Sequence, residues 1–172
     1  MTDTLDDPQV YLPDLFATHA HHYPNKDAVI CGETRRCWRD FVHNINRVAN
    51  FLIKSGVRKG DRVALMMSNS VEMLECLFGI VRAGGCVVPL SGLLTSDQLK
   101  SLLHDSEATA AFVSADFEEK VTPLVAELPL ISRWITHGFV RDGWAHMSKI
   151  YTEEEVTVPN IQHAITDRFN II

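Results

Sequence analysis

Residues Arg62 to Leu90 read RVALMMSNSVEMLECLFGIVRAGGCVVPL: an apolar run, a short polar turn, a longer apolar segment and, after two glycines, a second apolar run. The first run, Arg62 to Met67, shows no polar alternation, so a strand there is apolar on both faces. Such strands belong to parallel sheets packed between helices. Ser68, Asn69 and Ser70 turn the chain, and Ser70 to Arg82 is the helix that carries it back to the starting end of the sheet. Gly84 and Gly85 stop that helix, and Cys86 to Leu90 is the next strand. A parallel neighbour is reached only through a crossover connection, which makes the stretch a βαβ unit.

Two more units follow. The strand Cys86 to Leu90 leads into a helix opened by Thr95 and Gln98 in capping-box spacing, with Leu99, Leu102 and Leu103 turned inward. Ala110 to Val113 is the third strand and Phe117 to Leu128 its helix. Pro123 leaves two arrangements there, because it removes a helical hydrogen bond and clashes with the preceding turn: either Asp116 caps a kinked helix or the helix begins at Pro123. Arg133 to Thr136 closes the sheet. Gly138 to Asn160 is polar and weakly periodic, so residues 138–167 read mostly as loop, and Arg168 to Ile172 is extended and apolar.

Towards the N-terminus, Leu12 to Tyr23 has helical spacing with Pro13 in its first turn. Ala28 to Cys31 and Arg35 to Trp38 form a β-hairpin around Gly32 and Glu33. Asp40 to Ser55 is an amphipathic helix with Phe41, Ile45, Val48, Ala49 and Leu52 on one stripe and Gly56 as its cap. The expected fold is α/β: a doubly wound, mainly parallel sheet with flanking helices plus an N-terminal β-hairpin, in a single domain over residues 1–172. Ending on an extended apolar segment with no turn or cap, the chain reads as the truncated N-terminal part of a larger protein.

The 172 residues are 46% hydrophobic and 22% charged, the balance of a soluble globular domain. A net charge of -6 disfavours nucleic acid as a partner. Met1 to Gln9 is acidic and polar with no signal-peptide core, and no apolar run approaches the ~20 residues of a membrane span. Cys31, Cys37, Cys76 and Cys86 have no CxxC spacing and lie in apolar segments, as small buried hydrophobes in a reducing, cytoplasmic compartment do.

No residue is marked out as catalytic, cofactor-binding or metal-ligating. There is no GxGxxG, and the nearest approach to a phosphate loop, Gly79 to Gly84, has Gly85 where lysine is required. GxSxG and HExxH are absent. His19 and His22 are three apart, which makes two metal ligands without a third; one packed and two solvated histidines, with His21, is the simpler arrangement. Glu153, Glu154 and Glu155 read as a solvated face.

Several of these segments together resemble a known family. Cys37-Trp38-Arg39-Asp40-Phe41 looks like a degenerate form of the first core motif of the AMP-forming acyl-CoA synthetases and related adenylate-forming enzymes. Val57-Arg58-Lys59-Gly60-Asp61-Arg62-Val63-Ala64 resembles their entry into the first parallel strand, and Ser68-Asn69-Ser70 the turn after it. Val81-Arg82-Ala83-Gly84-Gly85-Cys86-Val87-Val88-Pro89-Leu90, the most specific match, resembles the second core motif. Gly92-Leu93 departs from the Pro-Arg of many relatives and removes a basic residue from the side where CoA phosphates approach. The resemblance covers Leu12 to Val113 well and the remainder loosely.

The resemblance implies that the complete enzyme uses ATP, Mg2+ and CoA to convert a carboxylic acid to an acyl-adenylate and then to an acyl-CoA thioester. It also implies that these residues build scaffold. The phosphate loop and the mobile lysine of such enzymes come from later segments, the loop following a strand like Phe169-Asn170-Ile171-Ile172, so the fragment itself is expected to bind no cofactor and to be inactive. Its partners would be the remainder of its own chain and, through exposed apolar surface, other copies of itself. Fragments of peptide-synthetase adenylation domains or of acyl-carrier-protein ligases are rival readings within the superfamily; a non-catalytic binding module on the same scaffold is the rival outside it.

Overall fold

The computed structural model describes residues 11–172; the first ten, and with them the acidic stretch Met1 to Gln9, lie outside the described residues. Helix α1 (Leu12–His22) carries Pro13 in its first turn, where a missing N–H costs nothing. Strands β1 (Asp27–Cys31) and β2 (Thr34–Cys37) pair antiparallel across Gly32, whose φ of 58° is the left-handed conformation that the turn needs. Helix α2 (Trp38–Lys54) begins two residues earlier than its stripe suggests, so Trp38 belongs to the helix and not to the hairpin. Its stripe of Phe41, Ile45, Val48, Ala49 and Leu52 is buried.

The central sheet contains β3 (Arg62–Met66), β4 (Cys86–Pro89), β5 (Ala110–Ser114), β6 (Arg133–His137) and β7 (Ala145–His146) in the order β4-β3-β5-β6-β7. Every pairing is parallel. The remaining helices are α3 (Val71–Arg82), α4 (Ser96–Asp105), α5 (Glu118–Val121) and α6 (Met147–Glu153). Because side chains alternate along a strand, β3 feeds two cores. Val63 and Leu65 pack with Val48, Leu52, Ile80 and Met147 on one face; Ala64 and Met66 pack with Leu99, Leu103, Val121 and Trp134 on the other. Burial on both faces is what the unalternating apolar runs required. The fold is therefore doubly wound α/β with a separate antiparallel hairpin.

The structure departs from the sequence reading at particular elements. Leu102 is 41% exposed, since in a helix whose Leu99 and Leu103 face the sheet its neighbour falls on the flank. Around Pro123 neither expected arrangement forms. Ala115–Phe117 is a 3-10 turn, α5 is a single turn, and a second 3-10 segment, Thr122–Glu127, takes Pro123 at its start, where the ring needs no donor. Within Gly138 to Asn160, β7 and α6 form, the latter burying Met147 and Ile150. The extended segment Arg168 to Ile172 makes one isolated bridge, Val87 to Asn170, with Val87 N–H donating to Phe169 O at 3.0 Å and Ile171 N–H to Val87 O at 2.9 Å. Cys31 is exposed, unlike the buried Cys76 and Cys86.

Candidate functional site

The chain leaves β3 for β4 on one side and then crosses to β5 on the other. At such a reversal the loops leaving neighbouring strands diverge, and the crevice outside their carboxyl ends is where open α/β sheets bind ligands. Here an open cleft of about 680 Å³ lies at that end, lined by Met67, Ser68, Asn69, Met73, Ser91 and Phe117 among others. Ser70 fixes its first wall: as the N-cap its side chain accepts from Met73 N–H at 3.0 Å, so the turn ends and α3 begins three residues after Ser68.

Behind Ser68 stands a polar cluster that joins β3 to β5. The hydroxyls of Ser68 and Ser114 both donate to the Asp116 carboxylate in short contacts, one on each oxygen. Ser68 N–H in turn donates to Ser114 Oγ at 3.3 Å. Partial burial pushes the Asp116 carboxyl up. The hydrogen bonds from Ser114 and Ser68 and from its own backbone, with His137 nearby, nevertheless hold it below the usual carboxylate range. Asp116 is thus an anion whose proton donors are hydroxyls, and each hydroxyl keeps its lone pairs for another partner.

The opposite wall is the β4–α4 loop. Lys120 Nζ donates to Gly92 O at 2.5 Å and to Leu94 O at 3.1 Å, tying the loop to α5. Gly92 lies so close to Phe117 that an added Cβ would sit 3.4 Å from its ring. Thr95 and Gln98 complete the reciprocal capping box, Gln98 N–H to Thr95 Oγ1 at 3.3 Å and Thr95 N–H to Gln98 Oε1 at 2.9 Å. Rigid elements therefore position both walls.

His19 stacks on Trp38 with ring centroids 4.9 Å apart, while His21 and His22 are exposed. Among the described residues no three His, Cys, Asp or Glu converge on a point able to hold a metal. Glu154 pairs with Lys54 at 2.7 Å and Glu155 is exposed. Gly79 lies inside α3, Gly84 takes φ 80° after its end, and Gly85 N–H donates to Ile80 O at 2.9 Å, so these glycines pack and terminate a helix and cradle nothing.

Two sets of polar residues were missed by sequence reasoning. Ser68, Ser114 and Asp116 stand at the ends of strands that prove adjacent; placing the strand ends side by side would have shown them together. Glu75 was the other, a carboxylate 0% exposed in the middle of α3. It accepts from Asn44 Nδ2 at 2.9 Å and from Tyr151 Oη at 2.5 Å. Arg36 Nε lies 2.9 Å from it, close enough for an ion pair although its N–H is not aimed at the carboxylate.

Known proteins share this architecture. The profile of a family described as "AMP-binding enzyme" matches residues 16–163. A crotonobetaine/carnitine–CoA ligase of Citrobacter koseri is 29% identical over 148 residues, 81% of this chain and 29% of the relative. A fatty acid–[acyl-carrier-protein] ligase of Streptomyces coeruleorubidus is 31% identical over 128 residues, 74% of this chain and 24% of the relative. The crystal structure of an anthranilate CoA ligase in complex with anthranoyl-AMP superposes with a TM-score of 0.88 at 23% identity, covering 96% of this chain and 32% of that one; at that identity the likeness speaks to the fold. The chain thus spans under a third of the length of each of these two ligases.

Proposed function

Because the chain belongs to the family of AMP-binding enzymes, we propose that it is the N-terminal portion of an ATP-dependent, AMP-forming acid–thiol ligase. The observation that carries this reading is the continuous family match over residues 16–163, joined by relatives that are named as ligases of carboxylic acids to CoA or to a carrier protein. In the reaction, a carboxylate oxygen attacks the α-phosphorus of ATP and pyrophosphate leaves. A thiol sulfur then attacks the acyl carbon, the C–S bond forms as the C–O bond to AMP breaks, and the thiol proton is lost.

Mg2+ would neutralise phosphate charge in the first step. The described residues do not fit it, since no cluster of three His, Cys, Asp or Glu forms among them. What these residues do is mechanical and dielectric: the doubly wound core holds the two walls of the crevice, and Lys120 and the capping box keep the β4–α4 loop against it. The four cysteines are all free, which supports a cytoplasmic setting, and among the described residues no helix is long and apolar enough to cross a membrane.

CoA and a carrier-protein thiol are both acceptors of the right chemistry, and the two ligases show similar identity to this chain. The test is to extend the encoding frame past Ile172, express whatever follows, and measure acid-dependent exchange of pyrophosphate into ATP and then thioester formation with each acceptor. Exchange with a carboxylic acid supports the ligase. A stop codon at that point, or no exchange with fatty, aromatic and betaine-type acids, leaves a non-catalytic module. For the 172-residue chain alone, calorimetry with Mg-ATP should show no binding heat, and a micromolar dissociation constant would overturn the assignment of chemistry to later segments.

A further inference from the structure

From the way the chain after α6 is held, we infer that residues 161–167 form a pH-sensitive latch, opened by protonation of His163, that keeps residues 169–171 on the outer edge of β4. The latch acts whatever reaction the chain serves. After α6 the chain runs back along α2, where neutral groups hold it: Asn46 Nδ2 donates to Val156 O, and Asn50 Nδ2 to both Glu155 O and Thr157 O, each at 2.9 Å. Beyond Pro159 the anchors change. Ile161 packs on Gly84, where an added Cβ would lie 3.2 Å from Ile161 Cγ2. Lys59 Nζ donates to Gln162 O at 2.7 Å and pairs with Asp167 Oδ2 at 2.8 Å, and the same Oδ2 accepts from Ala164 N–H at 2.8 Å. Phe169, which accepts from Val87 N–H on β4, follows two residues later.

His163 sits inside this turn. Its ring stacks on Tyr11 with centroids 4.1 Å apart, and its side chain is 17% exposed. Tyr11 is itself fixed, because its Oη donates to Val81 O at 2.9 Å. The charged groups that face the imidazole are Asp14 on α1, Lys59 on the turn before β3, Arg82 at the end of α3 and Asp167 on its own segment, and Arg168 lines the same cavity. Both carboxylates are already matched, Asp14 by Arg82 at 2.6 Å and Asp167 by Lys59. An imidazolium would therefore be one more cation in a half-buried cluster. Burial pushes the imidazole below its ordinary 6.5, against the pull of Asp167 and Asp14 and with the help of Arg82 and Lys59. With the folded value below the unfolded one, the closed latch is fully stable above about pH 6.5 and loses stability as pH falls through the folded value.

The experiment is amide hydrogen exchange on the 172-residue chain between pH 7.5 and pH 5, with each rate divided by its intrinsic rate so that the chemistry of exchange drops out. The amides of Val87 and Ile171, which bond the final segment to β4, should lose protection on acidification, with a limit of about tenfold per pH unit for the uptake of one proton. Amides of β5 should keep theirs, and the side-chain amide signals of Asn46 and Asn50 should not move. His163→Phe keeps a ring on Tyr11 and takes up no proton, so its Val87 and Ile171 protection should not change with pH. Protection that is constant or rises on acidification overturns the latch, as does an equal loss in β5 or the same loss in His163→Phe. Where the variant docks poorly even at pH 7.5, the ring-proton titration of His163 in the unaltered chain decides: a midpoint below 6.5 that coincides with the loss of protection supports the latch, and a midpoint at or above 6.5 overturns it.

Discussion

Gly79 of α3 faces Val48 of α2 so closely that a Cβ built on the glycine would lie 2.4 Å from Val48 Cγ1 and 2.6 Å from its Cβ. No side chain accepts such a contact, and Val48 is fully buried with no room to retreat. Two effects compete in Gly79→Ala. Alanine is favoured over glycine inside a helix by about 1 kcal/mol, whereas overpacking a core costs about 1–3 kcal/mol. Because the clash is with the stem of a β-branched residue and not with a flexible tip, overpacking wins. Gly79→Ala should lower the urea midpoint, and Val48→Ala in the same protein should recover part of the loss, giving a coupling of opposite sign to the single effects. Additive single effects would mean that the helices separate freely.

Glu75 leads to a pH prediction. Burial pushes its carboxyl above the ordinary value of 4.5, although hydrogen bonds from Tyr151 and Asn44 and the charge of Arg36 pull the other way. With the folded value above the unfolded one, the contribution of Glu75 to stability is complete below about pH 4.5 and is lost as pH rises through the folded value. Glu75→Gln keeps the shape and removes the titration. Urea unfolding from pH 4 to pH 8 should show the variant gaining on the unaltered protein as pH rises. A difference that stays constant, or that moves the other way, would show that the Arg36 contact governs the site and leaves Glu75 ionised.

The fold was legible wherever one physical signal acted within a single element. Short unalternating runs bounded by turn residues, such as Val63 to Met66, read as strands covered on both sides, and Thr95 with Gln98 announces a helix start that the hydrogen bonds reproduce. Signals of few turns were lost: α6 buries Met147 and Ile150 in too short a helix to set a period. The crevice was illegible for a different reason. Ser68 and Asp116 are 48 positions apart, and nothing local to either says that β3 and β5 are neighbours. Glu75 announces itself as a charge inside an apolar helix, but its partner Tyr151 is 76 positions away.

The capping box on α4 should be measurable. Thr95→Ala removes the acceptor for Gln98 N–H, and loss of a threonine cap costs about 1 kcal/mol. Gln98→Ala frees Thr95 N–H on the surface, where water replaces the partner, so its cost should be smaller. The double variant should lose less than the sum, because the two bonds hold one geometry. Thermal unfolding of the four proteins checks this, and strict additivity would mean that the bonds act independently.

The surface between α4 and the final residues leaves apolar side chains open to solvent. An open groove of about 610 Å³ is lined there by Leu90, Leu94, Leu102, Ile171 and Ile172 among others, and Ile172 is 103% exposed. β4 is an edge strand of the central sheet, and among the described residues its outer edge is engaged at Val87, through the bridge to Asn170. Exposed apolar grooves and strand edges with free backbone groups both favour pairing with another chain. In the 172-residue chain the expected outcome is self-association through this face, growing with concentration in size-exclusion chromatography with light scattering. Leu102→Asp places a charge on the exposed flank of α4 without touching either core, so it should suppress association while leaving the unfolding midpoint within about 0.5 kcal/mol of the original. Leu130→Asp, at an exposed position outside the groove, is the control and should associate as the unaltered chain does. A monomer at every concentration, or equal suppression by both substitutions, would remove this face as the cause.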